Sequence, residues 1–190
     1  DGVFAVAITL LVFGLGLPET LGVGGVREAL PAIIPELLTF AISFTIVGIL
    51  WAAHHIMFRY IVKVNRFMLW LNVALLMFVS AVPFSASVIG AHPNDVGAVA
   101  LYNVVLLFTS IMFAWLWLYA RYKKGMLAHE IPPSLIKIGT AVVLAAPVFY
   151  LLALGLTFLN TTLAKLLLVV IPIVYLLPSP IDRLVEYQSN

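Results

Sequence analysis

Asp1, the adjacent pair His54 and His55, and Arg59 one helical turn beyond them are the residues whose types and spacing suit proton or ligand chemistry. Successive residues of a helix point about 100° apart, so His54 and His55 cannot easily grip one ion. No HExxH pattern, cysteine or carboxylate at ligand spacing accompanies them, and no metal site is expected. A structural hydrogen-bond network is the better expectation. Asp1 begins the neighbouring helix, within reach of a histidine or of Arg59, although the helix dipole alone equally favours an acid there. The serines stand in no nucleophile elbow and beside no histidine and acid in a hydrolase pattern, so an enzyme is not expected. The potassium selectivity-filter signature TVGYG is absent.

The remaining polar residues have plainer readings. Asn72, Ser80, Ser85, Ser87, Asn103, Thr109 and Ser110 suit interhelical hydrogen bonding. Glu36 directly follows Pro35, a helix-start arrangement. Lys165 is placed to snorkel toward a membrane surface. No deeply buried acid is then left to carry protons for a coupled transporter.

So little chemistry must be positioned by apolar helices. Of the 190 residues 64% are hydrophobic and 9% charged, with a mean hydropathy of +1.16, against roughly 45–50% and about 25% in soluble domains. This composition predicts an all-α integral membrane protein. One crossing of a core about 30 Å thick takes about 20 helical residues, so six crossings leave room only for short connections. Ten Lys and Arg against eight Asp and Glu give +2, too balanced to suggest a nucleic-acid partner. The absence of cysteine excludes disulfides and thiolate sites.

Breakers divide the chain into six predicted helices, at about 1–17, 36–58, 67–91, 96–120, 133–158 and 162–177. Residues 1–178 then form one six-helix membrane domain and 179–190 a short tail. A loop is expected across Gly22, Gly24, Gly25, Arg27 and Glu28, and tight turns at His92-Pro93-Asn94-Asp95 and Asn160-Thr161-Thr162. Arg59, Lys63 and Arg66 fall in one connection, Arg121, Lys123 and Lys124 in another, and Arg183 in the tail, against Arg27 and Lys165 opposite. This bias predicts both termini in the cytoplasm. The chain opens on Asp1 without the charged start of a secretory signal and without an initiator methionine, so it reads as mature, with a few native residues preceding it.

Helical periodicity groups Val6, Leu10, Phe13 and Leu17 into one stripe of the first helix, with Thr9 beside it. Every face of that helix is apolar, so from periodicity alone the stripe reads as a lipid-facing or packed surface.

The opening Asp1-Gly2-Val3-Phe4-Ala5-Val6-Ala7-Ile8-Thr9-Leu10-Leu11-Val12 resembles the end of the FSDG-type signature that starts the first helix of the transmembrane protein 175 family, the lysosomal potassium channels and their prokaryotic relatives. Trp51-Ala52-Ala53-His54-His55, Leu69-Trp70-Leu71-Asn72 and Pro83-Phe84 are similar to that family's second and third helices, so the resemblance covers about the first half of the chain. It implies six helices in one repeat, a homotetramer in a prokaryotic plasma membrane, and four copies of the first helix around a central pore. It further implies that potassium permeates passively, with no cofactor, past hydrophobic rings at Val6, Leu10 and Phe13. Thr9 and Leu17 would be pore-adjacent, and Asp1, His54, His55 and Arg59 would form the polar network. Two ring positions depart from the family pattern: Val6 is smaller than its isoleucine or leucine, and Phe13 stands where leucine is common. A narrow apolar ring blocks ions by dewetting, and a wider one passes partly hydrated ions, favouring potassium modestly. Thr9 would either add a hydroxyl to the pore or bond its own helix backbone. Proton permeation through the same pore is a variant of this expectation. A secondary transporter using breaks at Pro83 and Pro147, or a non-conducting scaffold, are the alternatives of other classes.

Overall fold

Polar side chains fix where the helices begin. Asn65 Oδ1 accepts from the Met68 amide at 2.9 Å, and Asp95 Oδ1 from the Ala98 amide at 2.8 Å. Asn160 Oδ1 accepts from the amides of Thr162 and Leu163 at 2.9 and 3.1 Å. Pro133 opens another helix at its first position, where a missing N–H loses no bond. In this computed structural model, which describes residues 1–16, 26–128 and 131–176, the elements run α1 (Gly2–Leu10, continued by a 3-10 turn Leu11–Gly14), α2 (Val26–Tyr60), α3 (Arg66–Ala91), α4 (Val96–Tyr122), α5 (Pro133–Thr157) and α6 (Thr161–Leu176).

This is an all-α membrane fold. Among the described residues four helices are long and apolar enough to cross a bilayer: Ile33–Tyr60, Arg66–Ala91, Val96–Tyr122 and Pro133–Thr157. Two shorter apolar helices, Gly2–Gly14 and Thr161–Val170, accompany them. The most apolar stretches of α4 and α3 are 56% and 44% buried, against 17% for α2 and α5, so α3 and α4 form the centre. Leu75, Val79 and Val82 of α3 share one core with Val99, Leu106 and Leu116 of α4, and Phe4, Ala7 and Leu11 of α1 enter it.

The two ends of the bundle are tied differently. At one, an antiparallel bridge joins Ile61 to Leu127, with the Val62 amide donating to Met126 O at 2.8 Å and the Ala128 amide to Tyr60 O at 3.0 Å. Gly125 makes this approach with a left-handed φ of 77°, a conformation that glycine adopts without steric cost. The connections carrying Lys63, Lys123 and Lys124 are therefore neighbours. At the other end Lys165 Nζ donates to Pro93 O at 2.6 Å and Asn94 Oδ1 at 3.2 Å, anchoring α6 to the α3–α4 turn. Lys165 is thus bonded to a turn rather than simply extended toward a membrane surface.

Three expectations require correction or a boundary. The first helix does not continue regularly to residue 17: α-geometry ends at Leu10, the 3-10 turn closes at Gly14, and Leu15 is extended. Leu17 lies outside the described residues, as do Arg183 and the whole of 179–190. α2 starts at Val26 rather than near residue 36, so Arg27 and Glu28 belong to a helix and not to a loop. It runs through Pro31 and Pro35, each lacking one backbone donor, a loss that membrane helices tolerate where other groups serve the freed carbonyls.

Candidate functional site

Packing divides α1 into two faces that hydropathy alone could not tell apart. Phe4, Ala7 and Leu11 are buried against α2 and α3. Val6 is 57% exposed, Leu10 44% and Phe13 82%, and Val3 joins them on the open side. Val6, Leu10 and Phe13 of the stripe grouped by periodicity therefore lie on a face that this chain leaves uncovered. Val3, Val6 and Leu10, with Gly2 and Ala7, line an open groove of about 330 Å³ whose far wall is Ser80 of α3. Ser80 was expected only to bond between helices; its Oγ donates to Leu76 O at 2.8 Å, within its own helix. Its place beside the stripe has no sequence signal, because it follows from how α3 packs on α1.

Thr9 is exposed beside this stripe. Its Oγ1 lies 3.1 Å from Ala5 O and 2.9 Å from Val6 O, so its one hydrogen goes to its own helix backbone. The oxygen retains lone pairs toward the open face.

At the N-terminal end of α1 the expected polar network divides in two. Asp1 Oδ1 accepts from Trp51 Nε1 at 2.9 Å, and Asp1 Oδ2 lies 3.7 Å from His55 Nδ1. An Arg59 guanidinium nitrogen lies 3.2 Å from His55 Nε2. Guanidinium only donates, so Nε2 accepts and Nδ1 is left to carry the hydrogen facing Asp1. The His55 ring thus stands between the Arg59 guanidinium and the Asp1 carboxylate. The arrangement is exposed, with Asp1 at 65% and His55 at 41%, which makes it worth little to stability.

His54 faces another way. It is buried, and its Nε2 lies 2.8 Å from Asn72 Oδ1, an oxygen that only accepts, so Nε2 donates. Its ring packs on Phe4 and Phe58 at centroid distances of 5.3 and 4.5 Å, which ties α1, α2 and α3 together at this end. Asp1 pairs with His55 and not with His54. Four-residue steps put Trp51, His55 and Arg59 on one face of α2 and leave His54 on the next, a helix-geometry signal by which Trp51 was findable. Among the described residues no group of three or more His, Cys, Asp or Glu is arranged to hold a metal ion.

Glu36 was expected to mark a helix start. It lies instead well inside α2, half-buried, and its Oε2 accepts from the Gly16 amide at 3.1 Å, just beyond the end of the 3-10 turn.

Residues 1–83 match the model of a family described as the endosomal/lysosomal potassium channel TMEM175. A potassium channel of Streptomyces collinus is 36% identical over 121 residues, covering 62% of this chain and 59% of that protein. A potassium channel of Chamaesiphon minutus is 30% identical over 169 residues, covering 86% and 83%. The human endosomal/lysosomal proton channel TMEM175 is 32% identical over 147 residues, covering 70% of this chain and 28% of its own length. The crystal structure of a homologue of the lysosomal potassium-selective channel TMEM175 from Chamaesiphon minutus superposes with a TM-score of 0.81 at 29% identity, covering 92% of this chain and 91% of that one.

Proposed function

Because this chain belongs to the family of the endosomal/lysosomal potassium channel TMEM175, we propose that it conducts potassium passively through a central pore built from copies of α1. The observation that carries this reading is the open apolar stripe of Val6, Leu10 and Phe13 on a helix whose opposite face carries the buried Phe4, Ala7 and Leu11. An apolar side chain on a membrane helix needs no explanation when it faces lipid, but the relatives from Streptomyces collinus and Chamaesiphon minutus are both named potassium channels. In four copies around an axis, these side chains form successive rings, with no oxygen ligands to replace a hydration shell. Such rings gate by dewetting and filter by width. Phe13 is the bulkiest and most exposed of the three and sets the narrowest ring.

The assembled channel is a homotetramer in a prokaryotic plasma membrane, with α1 and α6 crossing beside the four longer helices. Both termini lie in the cytoplasm, because the connections bearing Lys63, Lys123 and Lys124 meet at one end and Lys165 sits at the other. No catalytic step and no cofactor are involved; potassium is the permeant ion, and Asp1, His55 and Arg59 brace the inner end of α1 against α2. The name of the human relative favours a second reading, in which protons permeate the same path.

Purified protein in liposomes tests this. Passive potassium flux down a gradient, exceeding sodium flux and altered in both Phe13→Ala and Leu10→Ala, is the expected result. Folded protein without flux in parent and variants overturns it. Proton flux with potassium and sodium absent supports the second reading, and saturable coupled uptake supports a transporter.

A further inference from the structure

The outer part of α1 ends between two partners. Gly14 sits so close to α3 that a Cβ on it would lie 3.1 Å from Ser87 Cβ. Leu15 has left the helix, with φ −89° and ψ 112°, so the Gly16 amide points beyond the helical ladder and donates to Glu36 Oε2 at 3.1 Å. Glu36 lies inside the bilayer-length stretch Ile33–Tyr60 of α2, where a carboxylate is costly unless it is paired or used. Its stem lies beside α3 at Gly90, where a Cβ would come within 3.6 Å of Glu36 Cγ. Three elements thus hold one carboxylate at the terminus of the helix that carries Phe13.

We propose that Glu36 is a positioning residue for the hydrophobic gate: by accepting the Gly16 amide it fixes the end of α1 and so the radial setting of Phe13, three residues earlier. This rests on the reading of the α1 stripe as the pore lining. The essential property is the acceptor oxygen, since a bond to an ionised acceptor is the stronger kind but an amide oxygen meets the same donor. Glu36→Gln keeps that oxygen and loses the charge. Glu36→Leu loses both. Gly16→Pro removes the donor and leaves the carboxylate, and Leu15 already has the extended backbone that a residue before proline requires.

Two readouts separate the proposal from the channel reading beneath it. Amide hydrogen exchange over residues 11–15, in protein held in lipid nanodiscs, reports the fixing of α1 whether or not ions flow. The potassium-to-sodium flux ratio in liposomes reports its effect on the gate. In Glu36→Leu and Gly16→Pro, exchange is expected to rise about tenfold, the equivalent of one lost hydrogen bond, and the flux ratio to change at least about twofold. Glu36→Gln is expected to stay near the parent in both. Glu36→Gln departing as far as Glu36→Leu overturns the proposal in favour of the charge, and parent-like exchange in Gly16→Pro overturns it even if Glu36→Leu fails to fold. A parent that passes no ions while the exchange pattern holds removes the channel reading alone.

Discussion

Phe4 and Phe13 lie nine residues apart on the same apolar helix, and the structure assigns them opposite consequences on truncation. Phe4 is fully buried among α1, α2 and α3, with His54 against its ring, whereas Phe13 is 82% exposed. In a bilayer an unfolded or dissociated helix keeps its side chains in hydrocarbon, so the transfer part of a core truncation largely cancels and the cavity part remains. At about 24 cal/mol per Å³, over a void on the order of 100 Å³, Phe4→Ala loses about 2 kcal/mol. Phe13→Ala opens no void within the chain and is expected to change protomer stability by less than about 0.5 kcal/mol. On the proposed pore assignment its effect falls on ion passage, where a ring of four smaller side chains would widen the narrowest point. Reversible unfolding in mixed micelles measures the first quantity and liposome flux the second. A Phe13→Ala protomer destabilised as much as Phe4→Ala would mean that Phe13 is part of the packed core. Unchanged flux in Phe13→Ala, with parent-like stability, would put the stripe against lipid and refute the pore assignment.

Asn72→Leu leaves the buried His54 Nε2–H without its acceptor and is expected to lower stability by about 1–3 kcal/mol, while Trp51→Phe removes an exposed bond to Asp1 and lowers it by less than about 1 kcal/mol. The same unfolding measurement checks both, and equal losses would contradict the division of the network. Gly14→Ala places a methyl 3.1 Å from Ser87 Cβ and is expected to cost about 1 kcal/mol or more through overpacking, whereas Gly2→Ala meets open space and is close to neutral. Unfolding midpoints in the opposite order would refute the close approach of α1 to α3.

Val6, Leu10 and Phe13 show how far the sequence was legible. The 3.6-residue period grouped them, but α1 has no polar face to contrast with an apolar one, so no hydropathy pattern could say which face is open. Packing decides it: Phe4, Ala7 and Leu11 interlock with α2 and α3, and the stripe is what remains. Helix starts were more legible because capping is local. Asn65, Asp95 and Asn160 bond amides two or three residues ahead, a reach that any sequence window contains. The start of α2 was not, because Pro31 and Pro35 read as breakers in water and are carried inside a helix here. The pairing of Asp1 with His55 in place of His54 depends on a separation of one residue on α2, which helix geometry could have decided once α1 was known to lie on the face of Trp51.

The place of Glu36 differs from its local sequence signal for a physical reason that bears on how the proposed gate would work. A glutamate after a proline is a good helix start on local grounds, and its bond to the Gly16 amide, twenty residues away, appears only when α1 and α2 are packed. An apolar ring has no directional bonds of its own; its radius is set by the backbone that carries it. A pore that selects by the width of hydrophobic side chains therefore depends on polar contacts outside the pore to hold each helix in place. α1 has such contacts at both ends, with Asp1 bonded to Trp51 at one and Gly16 bonded to Glu36 at the other. On the proposed pore assignment, losing either bond, as in Glu36→Leu or Trp51→Phe, should alter selectivity more than changes of similar size on the uncovered surfaces of α2 and α5, because an anchor displaces a whole ring position while a surface side chain displaces only itself.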